Sequence, residues 1–273
     1  MQTHAESATV VRKPQREAPP GTARRRSAWC VRLVGLSTLA VGMALPFTAD
    51  AAKVKGAVKN FRLLVNPVWE EAKSPKQHGY SFREPVPTVR AEFRRLFPDI
   101  PKELCIAALA PEKQKPEKPI LIRVGGGRTT PVTIVLPPGT TLQFKNTDPF
   151  THRLYGVKIS TFQPNDTVKG GTRSWTVPGK GTFEIRDELA PSLRMWIVGE
   201  PNVAAIAYPS KKGQFLLTFD QPGDYTLQAF FSGKKVGAPK PVTVGQKDMD
   251  ISRTPIRVAA SKKKSKADEK KGK

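Results

Sequence analysis

Beyond position 51, few residue types could carry chemistry: two histidines (His78 and His152), one cysteine (Cys105) and scattered carboxylates. An imidazole serves as base or metal ligand, and a thiolate as nucleophile or soft ligand. Ser160, His152 and Asp148 supply the types of a hydrolytic triad, but no nucleophile elbow surrounds the serine. Gly125-Gly126-Gly127-Arg128 is glycine-rich like a phosphate cradle, yet lacks the Lys-Ser/Thr pair and following helix of a P-loop, and reads as a loop between strands. The adjacent carboxylates Glu70-Glu71 and Asp187-Glu188 stand in no glycosidase-like pattern. Trp69, Trp175 and Trp196 would make a sugar platform only if exposed together, and aromatics of this kind pack β-cores. A single thiol in an apolar stretch (Leu104-Cys105-Ile106-Ala107) makes neither an internal disulfide nor a Cys-rich metal site, and packs as a small hydrophobe. No catalytic residue is assigned, and the chain is not expected to be an enzyme.

The elements that must position these groups are strands. Val54-Lys55-Gly56-Ala57-Val58 alternates and reads as a first strand. Residues 66–110 are mixed, with a short helix predicted over 88–97 from Val89, Phe93 and Leu96. A charged, proline-bearing linker follows at 111–119. From 120 onward, β runs recur at 120–124, 132–136, 140–144, 181–185, 194–198, 214–219, 225–230 and 242–244, separated by Gly/Pro/Asn/Asp turns. Such spacing predicts an all-β sandwich or barrel and disfavours a parallel α/β fold, which needs long helices between strands.

Residues 1–51 have the build of a secretory signal peptide. Seven basic side chains precede an uncharged run at 33–45, and Ala49-Asp50-Ala51 offers small residues for cleavage. Thirteen residues are too few for a bilayer-crossing helix, which takes about 20. Arg24-Arg25-Arg26 lacks the hydrophobic pair that twin-arginine export requires. The formal net charge is +23; the leader holds seven basic and three acidic residues, so +19 remains on the 222 residues after it. That excess draws the chain to anionic surfaces, and export leaves nucleic acid the least suitable of them. The expected site of residence is the periplasm or cell envelope, with no transmembrane span in the mature chain.

At Pro138-Gly139-Thr140-Thr141-Leu142-Gln143-Phe144-Lys145-Asn146-Thr147-Asp148-Pro149-Phe150-Thr151-His152 the sequence resembles a cupredoxin. In that family a strand of the form PGTTLxFxNxD leads to the first copper-binding histidine, to which His152 corresponds. The later loop, C-x-x-H-P-x-M followed by a Trp-Ile-Val strand, is matched by Asp187 to Val198 through Pro191 and Trp196-Ile197-Val198. Asp187 stands for the cysteine, Ala190 for the histidine and Leu193 for the methionine. A type-1 centre needs a thiolate, two imidazoles and a weak axial donor, so the resemblance implies a cupredoxin-like Greek-key sandwich that has lost its copper, with no metal and no cofactor. Arg153 or Arg186 is expected to offset the Asp187 carboxylate, because buried polar groups need partners.

Ala207 to Phe215 and Gln221-Pro222-Gly223-Asp224-Tyr225-Thr226-Leu227 resemble the carboxypeptidase regulatory-like (transthyretin-like) repeat, whose opening Val-x-Gly-x-Val recurs at Val54-x-Gly56-x-Val58. That resemblance implies a second small transthyretin/Ig-like sandwich packed with the first. The layout expected is a signal peptide over 1–51, an N-terminal strand with irregular or short-helical region and linker over 52–119, a cupredoxin-like sandwich over 120–199, a regulatory-like β segment over 200–247, completed by 54–69 in one topology, and a basic disordered tail over 248–273. The function expected is a non-catalytic binding or structural module contacting an anionic envelope component or another envelope protein. Trp175, Arg153 and Arg186 are its candidate contact residues. Two rivals stand beside it: an electron-transfer or metal-binding cupredoxin using His152, and a carbohydrate-binding envelope protein. The sequence sets no oligomeric state.

Overall fold

The computed structural model describes residues 52–67, 97–116 and 118–259. The leader, Trp69, His78, the helix expected over 88–97 (apart from Phe97) and the lysine-rich end from 260 onward lie outside the described residues.

Strand β1 (Ala52–Lys59) alternates as its sequence does: Val54, Gly56 and Val58 are buried while Lys53, Lys55 and Lys59 face solvent. After a one-turn helix α1 (Ile100–Glu103) comes β2 (Leu104–Leu109). The middle of the chain supplies β3 (Ile120–Gly125), β4 (Arg128–Thr130), β5 (Thr133–Leu136), β6 (Thr141–Asn146), β7 (His152–Gly156), β8 (Asn165–Thr167), β9 (Thr172–Thr176), β10 (Gly181–Asp187) and β11 (Arg194–Gly199). The last third supplies β12 (Val203–Ala207), β13 (Gln214–Phe219), β14 (Gly223–Phe231), β15 (Lys234–Val244) and the short β16 (Met249–Asp250) and β17 (Ile256–Arg257).

These strands form two sandwiches, and the fold is all-β. The first packs the sheet β4-β3-β6-β9 on the sheet β5-β11-β10-β7-β8. Between them lies a core that includes Phe144, Phe162, Trp175, Ile185, Leu193 and Met195. The second packs β12-β2-β14-β15 on β13-β1-β16, with β17 also paired to β1. Its core includes Val54, Leu104, Phe215, Leu217, Phe219 and Leu227. In the second core the tip of the Phe215 ring abuts Gly56: a Cβ there would sit 2.2 Å from its Cζ, so any larger residue would have to displace the ring. Burying each such aromatic is worth about 1.5–3 kcal/mol.

β1 pairs antiparallel with β13, setting Ala52 opposite Phe219 and Ala57 opposite Gln214. The second sandwich is therefore assembled from chain segments that enclose the first. The two inner sheets meet through Cys105 and Ala107 of β2, Phe230 of β14, Val135 of β5 and Val198 of β11. Three hydrogen bonds pin that seam: Tyr208 Oη donates to the Thr133 carbonyl (2.9 Å), the Ser232 amide to Thr133 Oγ1 (3.2 Å) and Thr182 Oγ1 to the Gly233 carbonyl (3.1 Å).

Two expectations need correction. The region 52–119 is not one strand followed by irregular chain: 104–109 is an inner strand, hydrogen-bonded to both β12 and β14. It is apolar throughout because both its faces are buried, Leu104 and Ile106 in one core and Cys105 and Ala107 in the seam, so it shows no period of two. Nor does a tail begin at 248. Met249 pairs with Val54 and Ile256 with Val58, and Ile256 and Val258 are buried in the second core.

Candidate functional site

β3 and β6 run parallel, with Val124 beside Asn146. The residues that follow each strand therefore leave the sheet at the same end. After β3 comes the hairpin of Gly126 and Gly127, both at φ +64, a left-handed turn that glycine adopts without strain. After β6 comes the loop to His152. Its shape is set by Asn146, whose Nδ2 donates to the carbonyls of Phe150 and Thr167 (2.8 Å each) and whose Oδ1 accepts the Asp148 amide (2.8 Å). The two glycine amides donate to Asp148, Gly126 to Oδ1 at 2.7 Å and Gly127 to Oδ2 at 3.0 Å. The anion that this glycine loop cradles is a side chain of the protein itself.

His152 opens β7 and is fully buried. Its Nε2 lies 3.0 Å from Asp148 Oδ2 and its Nδ1 lies 2.5 Å from Asp187 Oδ2. β10 pairs antiparallel with β7, setting Asp187 opposite Leu154, and this brings the aspartate to the ring. Asp187 Oδ1 accepts the backbone amides of Leu189 (2.7 Å), Arg153 (3.1 Å) and Ala190 (3.2 Å). The amides of Gly127 and Gly126, and the bond with His152, hold the Asp148 carboxyl below the usual carboxylate range against the opposing effect of burial. The half-exposed ring of Phe150 packs on the imidazole, with centroids 4.9 Å apart.

Both imidazole nitrogens thus face carboxylate oxygens, which only accept. The two carboxylates draw in addition on five backbone amides, and a buried polar cluster holds when such hydrogen bonds satisfy its charged groups.

The ligand set does not fit copper. His152 has no nitrogen free, its two carboxylates lie on opposite sides of the ring, and no thiolate is at hand. Leu193 and Met195 are fully buried in the first core, and Ala190 packs at its edge. The thiol of Cys105 lies in the seam, where burial pushes it up to about 12. Among the described residues no group of three His, Cys, Asp or Glu side chains is placed to hold a metal ion. Ser160 gains nothing from His152 either, since both ring nitrogens are engaged.

The candidate contact residues lie as follows. Trp175 is 5% exposed, inside the first core, with Nε1 donating to Thr161 Oγ1 at 3.2 Å. The expectation that it contacts a ligand is corrected: its alternation in β9 turns it inward. Trp196 is 8% exposed. The expected guanidinium on Asp187 is replaced by the three amides. The Arg153 side chain goes instead to Asp166 (Nε to Oδ1, 2.6 Å) and to Glu188 (3.5 Å), and Arg186 Nε donates to Glu184 Oε1 (2.7 Å). Asp148 and the glycine pair were each visible in the sequence, but nothing local joined them. The parallel β3–β6 register is the signal that does.

No protein-family model matches the chain, and no curated protein matches its sequence. Solved structures similar to it include a purple cupredoxin from Nitrosopumilus maritimus, at 17% identity, covering 30% of this chain and 99% of that one, with a TM-score of 0.28. Amicyanin from Paracoccus versutus is 12% identical over 36% of this chain and 99% of its own, with a TM-score of 0.28. A copper-containing nitrite reductase from Thermus scotoductus is 19% identical over 34% of this chain and 25% of its own, again at 0.28. At such scores the likeness carries no activity over to this chain.

Proposed function

We propose that the protein is a copper-free, non-catalytic binding or structural module of the cell envelope, built on a sandwich whose former ligand position is closed by an internal salt bridge. The observation that carries this reading is the engagement of both His152 nitrogens by Asp148 and Asp187. A histidine so held neither coordinates an ion nor accepts a proton from a substrate. The envelope assignment is supported by the leader-like residues 1–51 and the +19 charge on the remainder. Among the described residues no helix is long and apolar enough to cross a membrane. The partner expected is an anionic envelope component or another envelope protein.

Metal analysis of the purified protein after incubation with copper tests the reading. It should retain no stoichiometric copper and show no blue absorption band. Stoichiometric copper that is lost in His152→Ala would overturn it. Cell fractionation tests location separately: an envelope or periplasmic pool starting at Ala52 is expected, and a cytoplasmic full-length pool would refute export.

A further inference from the structure

We propose that the outer face of the β13-β1-β16/β17 sheet docks onto an anionic lipid bilayer. The inference rests on the envelope reading above, since that location sets the chain beside such lipid. Along β1, Lys53, Lys55 and Lys59 project from this face, and Arg257 of β17 stands directly beside Lys59. Two like charges in register destabilise a sheet, yet among the described residues neither has a carboxylate within ion-pair distance. Against them stand Asp250, 4.0 Å from Lys55 and well exposed, and the exposed Asp248, whose Oδ1 accepts the Lys53 backbone amide at 2.9 Å.

The cations extend beyond the strands. Lys211 and Lys212 are exposed in the turn whose Gly213 carbonyl accepts the Val58 amide at 2.7 Å. The chain then leaves this same corner. The Val258 amide donates to the Lys59 carbonyl and Asn60 Nδ2 donates to the Ala259 carbonyl, so Ala259 lies beside the basic corner. A cluster of cations on one face is the arrangement that anionic headgroups attract.

Apolar side chains among the cations favour a bilayer over a soluble polyanion. Leu216, 54% exposed, lies opposite Lys55 in the middle of the face. Beyond Lys59, Arg62 and Lys211 share a cleft with the half-exposed Phe97, over whose ring the Arg62 guanidinium lies, and with Asp99, which pairs with Lys102 at 3.8 Å. Headgroups satisfy the charges while the acyl boundary takes up the apolar groups, which a hydrated chain of anions does not. The opposite outer sheet offers a control. There Arg123 and Lys145 are also neighbours in register, and Leu121, 58% exposed, stands on the same face, but the surrounding positions are Thr130, Thr141, Ser174 and Thr176 rather than further cations.

The experiment measures partition of the purified protein onto vesicles of phosphatidylcholine containing phosphatidylglycerol, against pure phosphatidylcholine. Binding to the anionic vesicles alone is expected. Lys59→Glu/Arg257→Glu should weaken it by about tenfold or more, and the charge-matched Arg123→Glu/Lys145→Glu by less than about twofold. Leu216→Ser should lower partition by about threefold while leaving capture by soluble polyglutamate unchanged. Melting curves confirm that each variant is folded. Equal loss in both charge-reversed pairs, no preference for anionic vesicles, or an equal Leu216→Ser effect on polyglutamate would each overturn the proposal. Because partition is read on purified protein, its failure is separate from a failure of the copper or fractionation tests.

Discussion

The two sandwiches solve the same packing problem with opposite materials. The second closes on hydrocarbon, with Phe215, Leu217 and Phe219 of β13 set against β2, β14 and β15. The first has an equally apolar middle but carries His152, Asp148 and Asp187 buried at one end. The first is contiguous in sequence; the second is gathered from both sides of it. The contrast teaches that a sandwich tolerates buried charge where loops deliver enough backbone amides to that place. Five do so around His152: four come from turns outside the strand ladders, at Gly126, Gly127, Leu189 and Ala190, and the fifth is the Arg153 amide of β7.

The largest effects should come from breaking the charged end. Asp187→Ala removes one carboxylate from the buried His152 ring and strands three amides, a loss of about 3–5 kcal/mol in urea denaturation. Leu217→Ala in the hydrocarbon core should cost about 2–5 kcal/mol by the same measurement. If Asp187→Ala were harmless while Leu217→Ala were not, the triad would be no part of the fold's stability. A smaller effect concerns pH. The Asp148 carboxyl is held below its ordinary value, so the stability it contributes is present above the unfolded value of about 3.9 and is lost as pH falls through the depressed folded one. Unfolding midpoints between about pH 2 and 6 should fall steeply in the wild type and more gently in Asp148→Asn. Equal slopes would contradict the Gly126–Gly127 cradle. The smallest effect sharpens the seam between the sandwiches. With its thiol pushed up to about 12 and fully buried, Cys105 should resist alkylation at pH 8 in the native protein and react in denaturant. Fast native labelling would show that the seam opens.

Much of the fold is legible in the sequence where strands face water on one side. β1 and β13 alternate, and their inward residues follow directly. β2 and β12 escape that reading because both lie against a second layer and β12 is built of small residues. β7, β8 and β9 are short and largely polar, and tertiary pairing rather than propensity makes them strands. At the site, His152 and Asp187 are found by their places in a motif. The cradle for Asp148 is not, because 20 residues separate the glycines from the aspartate and only the β3–β6 pairing joins them. Trp175 shows the converse: its type suggests a ligand platform, whereas its phase within β9 sends it inward.

The antiparallel joining of β1 to β13 has a consequence in time. During synthesis the sandwich spanning 120–199 can close on contacts of short sequence separation, as soon as its own residues are out. β1 must wait for a partner made about 160 residues later, and the wholly apolar β2 for partners made about 100–125 residues later. Until Gln214–Phe231 arrives they are sticky, unpaired ribbons, and the nascent chain is then most exposed to self-association or in need of a chaperone.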